Sequence, residues 1–111
     1  MSYNVITTPD FKKLVKKLAR KYPSLKGDLR KLIEELAENP TIGTSLGHCL
    51  YKIRLAITSK GKGKSGGARV ITFLLTPEQE VYLVYLYDKG QLDNISKEQI
   101  LILLNQAGLS Q

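Results

Sequence analysis

Lys52, Arg54 and Arg69 are the residues whose type and spacing point most directly to chemistry. Lys52 and Arg54 stand at i and i+2 in an alternating apolar and basic run, so on a strand both side chains leave the same face. Arg69 opens the next strand-like run and can lie beside them. Three like charges on one sheet face repel each other unless an anion sits among them. A guanidinium grips a phosphate through parallel hydrogen bonds, so the trio reads as a phosphate site. The competing reading is a surface whose charges are screened, or paired with carboxylates folded in from elsewhere.

Other candidates flank this trio. Tyr85 and Tyr87 share a strand face and can stack a base or donate a proton; tyrosines so placed are more often core or sheet-edge residues. His48 is the only histidine, so it reads as an ordinary loop residue or as a proton donor beside the basic face. Between them runs Lys60-Gly-Lys-Gly-Lys-Ser-Gly-Gly67, whose Gly63-Lys64-Ser65 matches the end of a phosphate-binding loop. The glycine that should open such a loop is Thr58, and the segment joins strand to strand, so no helix N-terminus would face the phosphate. Nucleotide hydrolysis is therefore set aside. Lys60, Lys62 and Lys64 read instead as a mobile basic hairpin tip that contacts a nucleic-acid backbone, against the plain alternative of a solvated loop.

Charge placement supports a polyanionic partner. The 111 residues carry a formal net charge of +7. No Asp or Glu lies between Glu38 and Glu78, a stretch that holds six Lys and Arg; the remainder has eleven cations against ten acids. So strong a local bias points to nucleic acid or an acidic protein. Glu34, Glu35 and Glu38 fall on a helix's solvent side and form no paired-carboxylate site. With one cysteine and one histidine there is no thiolate zinc site and no disulfide. Neither a metal nor another cofactor is expected, and Cys49 is expected to be a small buried hydrophobe on a strand. No stretch resembles a secretory leader or a membrane span, so the expected compartment is the cytoplasm.

The elements that must position these residues can be read from periodicity. Tyr3–Thr7 is a short strand. Thr8-Pro9-Asp10 starts a helix, and Phe11, Leu14, Val15 and Leu18 mark its apolar face. Tyr22-Pro23 ends it. Ser24 can cap a second helix with Leu25, Leu29, Leu32, Ile33 and Leu36 facing inward, stopped at Asn39-Pro40. Residues 41–47 read as a loop, Cys49–Ile57 as a strand, 58–67 as a flexible loop, Arg69–Leu75 and Val81–Tyr87 as strands. Ser96 and Gln99 form a capping box for a last helix. One α+β domain over residues 1–111 is expected: an antiparallel sheet in the order β-α-α-β-β-β-α, with a helical hairpin on one face.

Three runs, Leu50–Ala56, Lys60–Ile71 and Val81–Lys89, together resemble the RelE/HigB family of bacterial toxins, especially its HigB-type branch. The element order resembles that family along nearly the whole chain. The resemblance implies the toxin of a type II toxin–antitoxin system that cuts messenger RNA in the ribosomal A site. It implies Lys52 and Arg54 at the scissile phosphate, Arg69 at the start of the next strand, and Lys89 in the basic segment that follows. Gly90 stands where an arginine would be expected, and Ser96 or its neighbours where some members carry a catalytic tyrosine. The proton donor is thus left open among Tyr85, Tyr87, Lys89 and His48, while Lys60, Lys62, Lys64 and His48 hold RNA outside the reacting centre. The reaction expected is metal-independent endonucleolytic cleavage through the RNA's own 2′-hydroxyl. The implied partners are mRNA, the ribosome and a cognate antitoxin, helix-turn-helix or acidic, with no membrane. The competing functions are a ParE-like gyrase-inhibiting toxin and a non-enzymatic basic RNA-binding module.

Overall fold

The structure, a computed structural model, describes residues 2–61, 63–90 and 95–109. Strand Asn4–Thr7 (β1) leads into helix Pro9–Lys21 (α1). Thr8 closes that helix: its hydroxyl oxygen accepts from the Phe11 N–H at 3.2 Å and its proton goes to the Leu83 carbonyl. Helix Leu25–Glu38 (α2) follows. Ser24 precedes it but does not cap it; its hydroxyl donates to Asp28 at 2.9 Å and accepts from the Ser59 N–H at 2.8 Å.

Strands Thr44–Gly47 (β2), Leu50–Leu55 (β3), Ala68–Leu75 (β4) and Glu80–Asp88 (β5) complete a five-stranded sheet in the order β1-β5-β4-β3-β2. Helix Lys97–Gln106 (α4) starts at the capping box of Ser96 and Gln99. The meander β3-β4-β5 is antiparallel, as expected, but β1 pairs parallel to β5, so the sheet is mixed. Both hairpin helices and strands β2 to β4 lie between β1 and its neighbour, so no tight turn forces the antiparallel sense.

Two segments read as loops are ordered differently. Residues 44–47 form β2, because Gly47 pairs with Leu50 across a two-residue turn. That turn is His48 and Cys49, with φ 54° and 63°; two left-handed residues are what a tight hairpin requires. Cys49 is therefore exposed in a turn rather than buried on a strand. After β3, residues Thr58–Lys60 make a 3-10 turn and Gly63–Gly66 a single helical turn (α3). The 3-10 turn is pinned to α2: Thr58 donates to Asp28 through its N–H at 2.9 Å and its hydroxyl at 2.6 Å. A side chain at Gly67 would collide with the Leu55 carbonyl, so glycine lets the chain turn tightly into β4.

Both sheet faces are covered. Phe11, Leu25, Leu29, Leu32 and Leu36 of the hairpin pack on Ile53, Leu55, Val70, Leu83 and Leu86. On the other face Ile95, Ile100 and Leu104 pack on Leu50, Ile71, Phe73 and Val84. Each such fully buried side chain is worth about 1.5–3 kcal/mol. Strand β5 serves both cores because it bulges. Tyr85 pairs with Ile71 but Leu83 pairs with Thr72, leaving Val84 as the extra residue. The bulge resets the alternation. Val81, Leu83 and Leu86 enter the hairpin core, while Tyr82, Val84, Tyr85 and Tyr87 fall with the other.

The end of β5 is fastened by Asp88, which is 3% exposed. Its carboxylate accepts from Lys60 Nζ at 2.7 Å, the Tyr22 hydroxyl at 2.8 Å and the Gly90 N–H at 2.9 Å. Burial pushes this carboxyl up, but the bonds from Lys60, Gly90 and Tyr22 outweigh it and hold it below its usual range. Removing one partner of a buried pair strands the other, so Asp88→Ala is expected to cost about 3–5 kcal/mol in urea denaturation. A depressed native carboxyl stabilises above the unfolded value and loses that contribution as acid protonates it. Stability should therefore fall below about pH 4, and less steeply in Asp88→Asn, as followed by the acid limb of a denaturation series.

Candidate functional site

Cross-strand register assembles the site. Arg54 of β3 lies opposite Arg69 of β4, and Arg69 lies opposite Tyr87 of β5. One pair along, Lys52 faces Ile71, and Ile71 faces Tyr85. Residues directly opposed share a face, with Cα atoms about 4.5–5.5 Å apart. The result is a patch three strands wide: Lys52 and Arg54 on one flank, Arg69 and Ile71 in the middle, Tyr85 and Tyr87 on the other flank. This is the α4 side of the sheet, opposite the helical hairpin.

The members differ in environment. Arg69 is 6% exposed and donates from Nη1 to the Ala68 carbonyl at 3.1 Å. Arg54 lies past the end of β2, which pairs only as far as Lys52, and is exposed. Lys52 is half-buried. Neither Lys52 nor Arg54 has an ion-pair partner among the described residues. Two like charges directly opposite each other repel unless something compensates them. Tyr85 and Tyr87 have ring centroids 6.0 Å apart, inclined at 40°. The Tyr87 hydroxyl is buried with no hydrogen-bond partner among the described residues. Burial raises its pKa, the Arg69 charge opposes that rise, and Tyr85 adds to it; the net shift is upward. A phenol shifted this way is a weaker acid than a free one, and it keeps its proton as a hydrogen-bond donor beside the arginine.

Other expected site residues fall elsewhere. Lys60 is not an unpaired RNA anchor: its side chain is 12% exposed and its ammonium is bound to Asp88, with the Tyr22 ring 5.5 Å away. The 3-10 turn that carries it is tied down by Asp28, so it does not belong to a mobile tip. Lys62 lies outside the described residues, and the side chain of Lys64, on α3, does too. His48 sits in the β2–β3 turn, beyond Leu50, and Leu50 to Arg54 alone spans roughly 13 Å of strand. It therefore lies at the far end of β3 from Arg54, and nearer to Lys52. Lys89 follows β5 and donates its N–H to the Gly67 carbonyl at 3.1 Å, which fixes the backbone just past Tyr87. Two neighbours of the site had escaped sequence reasoning, Lys17 and Lys21 of α1, which border Tyr85 and Tyr87 across a cleft. Their only signal was i, i+4 spacing on a helix face. Among the described residues there is no cluster of three or more His, Cys, Asp or Glu that could hold a metal, and no helix is long and apolar enough to cross a membrane.

The family model "RelE toxin of RelE / RelB toxin-antitoxin system" matches residues 10–110. Among solved structures, a mutant of the E. coli toxin RelE in the free state, with two arginines changed to alanine, superposes with a TM-score of 0.62 at 18% identity. That match covers 97% of this chain and 96% of the other.

Because the Tyr87 hydroxyl has no partner among the described residues, Tyr87→Phe should change unfolding stability by less than about 1 kcal/mol, or raise it slightly. In a spectrophotometric titration the parent chain should show two late-ionising tyrosines. One is Tyr87. The other is Tyr82, raised by its hydrogen bond to Glu80 and then by burial. Tyr87→Phe should remove one of the two.

Proposed function

Since the chain belongs to the RelE toxin family of toxin–antitoxin systems, whose members cleave messenger RNA, we propose that the Lys52–Arg54–Arg69–Tyr85–Tyr87 face is its ribonuclease site. The observation that carries this reading is the register row Arg54–Arg69–Tyr87, with Lys52 and Tyr85 on the same face one pair away. An in-line displacement needs its base and its acid on opposite sides of phosphorus. The flanks of this patch provide that: a lysine on β3 and two tyrosines on β5, separated by the width of β4.

In the proposed reaction the RNA 2′-oxygen forms a bond to the adjacent phosphorus while the bond from phosphorus to the 5′-oxygen breaks. Lys52 takes the 2′-hydroxyl proton. Tyr87, or Tyr85 beside it, delivers a proton to the leaving 5′-oxygen. The products are a 2′,3′-cyclic phosphate and a 5′-hydroxyl end. Arg69 and Arg54 neutralise the charge that builds on the non-bridging oxygens, where a guanidinium is worth most in a water-poor setting. Lys89, two residues past Tyr87, is read as a contact to the strand just outside. Message presented by the ribosome is the substrate we favour, which sets the work in the bacterial cytoplasm.

Membership also brings a cognate antitoxin. We read it as an acidic or helix-turn-helix protein that neutralises the toxin by covering these cations in place of RNA. The test is Arg69→Ala. Cleavage should drop by at least about 10²–10³-fold, as for loss of an oxyanion-stabilising donor, with relief of growth arrest and loss of new 5′-hydroxyl ends in mapped transcripts. An Arg69→Ala chain that folds and still arrests growth with the same RNA ends would sink the site.

A further inference from the structure

Helix α1 carries Lys12, Lys13, Lys16, Lys17, Arg20 and Lys21, all exposed, against Asp10 as its only acid. Lys13, Lys17 and Lys21 recur every four residues, so they form one stripe with steps of about 6 Å. The fold places the end of that stripe beside the tyrosines. Strand β1 pairs with β5 only from Glu80 to Leu83, so the Val84–Asp88 half of β5 has a strand neighbour on the β4 side alone. Along the vacated edge runs a cleft of about 320 Å³. Leu14, Lys17, Leu18 and Lys21 line it from α1, and Tyr85 and Tyr87 line it from β5.

We propose that this cleft is a second RNA subsite, which takes the nucleotide next to the scissile phosphate. Its base would lie against the Tyr85 ring, and the sugar-phosphate chain would run out along Lys17 and Lys21. This rests on the ribonuclease reading above and extends it to the path of the strand. Cations beside an accessible aromatic ring are the pattern of single-strand binding: charge tracks the backbone and the ring accepts any base. The edge location also suits the reaction, because the cleft opens on the flank that carries the proposed proton donors. Lys21 is available for the role. It stands 3.8 Å from Asp88 with a side chain 54% exposed, and Asp88 is already bound by Lys60 at 2.7 Å. Lys17 has no ion-pair partner among the described residues.

The test is fluorescence anisotropy with a short single-stranded RNA whose 2′-hydroxyls are methylated, so that it cannot be cut. Lys17→Gln/Lys21→Gln is compared with Lys26→Gln/Arg30→Gln, which removes the same charge from α2. Each lost phosphate contact lowers the slope of log affinity against log salt by about 0.7. The α1 pair should therefore lower it by about 1.4 and weaken binding roughly ten- to thirtyfold at 0.1 M salt. The α2 pair should leave both nearly unchanged, and thermal unfolding should confirm that both variants fold. Equal effects from the two pairs, or none from the α1 pair, overturn the subsite while leaving the ribonuclease reading intact if the parent chain still cuts RNA. No binding by the parent chain overturns it as well. Unchanged RNA binding with lost neutralisation by the antitoxin would assign the cleft to the protein partner instead. Failure of the underlying reading would show separately, as absence of cleavage by the parent chain.

Discussion

Strand β5 has to face two ways, and the bulge at Val84 is what allows it. Without the extra residue, strict alternation from Tyr87 would carry Leu83 and Val81 onto the tyrosine face. The hairpin core would lose two fully buried side chains, and apolar groups would crowd the cation patch. With the bulge, the apolar residues before it and Leu86 after it all reach the hairpin core, and Tyr85 and Tyr87 stay in line with Arg69. Packing energy and site geometry thus depend on the same irregularity, which explains why a defect in the ladder is retained in a strand with paired neighbours.

The patch itself is built against local electrostatic preference. Arg54 and Arg69 oppose each other directly, and Tyr87 buries a hydroxyl without a partner among the described residues. The unpaired hydroxyl costs stability, and the surrounding sheet holds both arrangements in place. In the site we propose, they would offer two guanidiniums and a phenol to an incoming phosphate.

Asp88 does the opposite work on the opposite face. It gathers Lys60, Tyr22 and the Gly90 N–H at one buried carboxylate, while Asp28 fastens Thr58 and Ser24 nearby. Together they hold the connection between β3 and β4 against the hairpin. One lysine of the basic loop is thereby used for structure. Exposed cations remain elsewhere, among them Arg54 on the meander and, across the β5 edge, Lys17 and Lys21 on α1.

Much of this was legible in the chain alone. Helix boundaries followed from Thr8-Pro9, Tyr22-Pro23, Asn39-Pro40 and Ser96 with Gln99, because capping and proline chemistry are local. The shared face of Lys52 and Arg54, and of Tyr85 and Tyr87, followed from strand alternation. What pairs with what did not follow. The parallel seat of β1, the hairpin turn at His48 and Cys49, the bulge at Val84, the capture of Lys60 by Asp88 and the approach of Lys17 and Lys21 to the tyrosines all join residues distant in sequence or depend on a reset register. Local residue preferences determine which segments become helix or strand and which side chains share a face. Only the closing of the sheet and the docking of α1 on β5, where packing chooses one register among several, decide which charges meet and which are spent on one another.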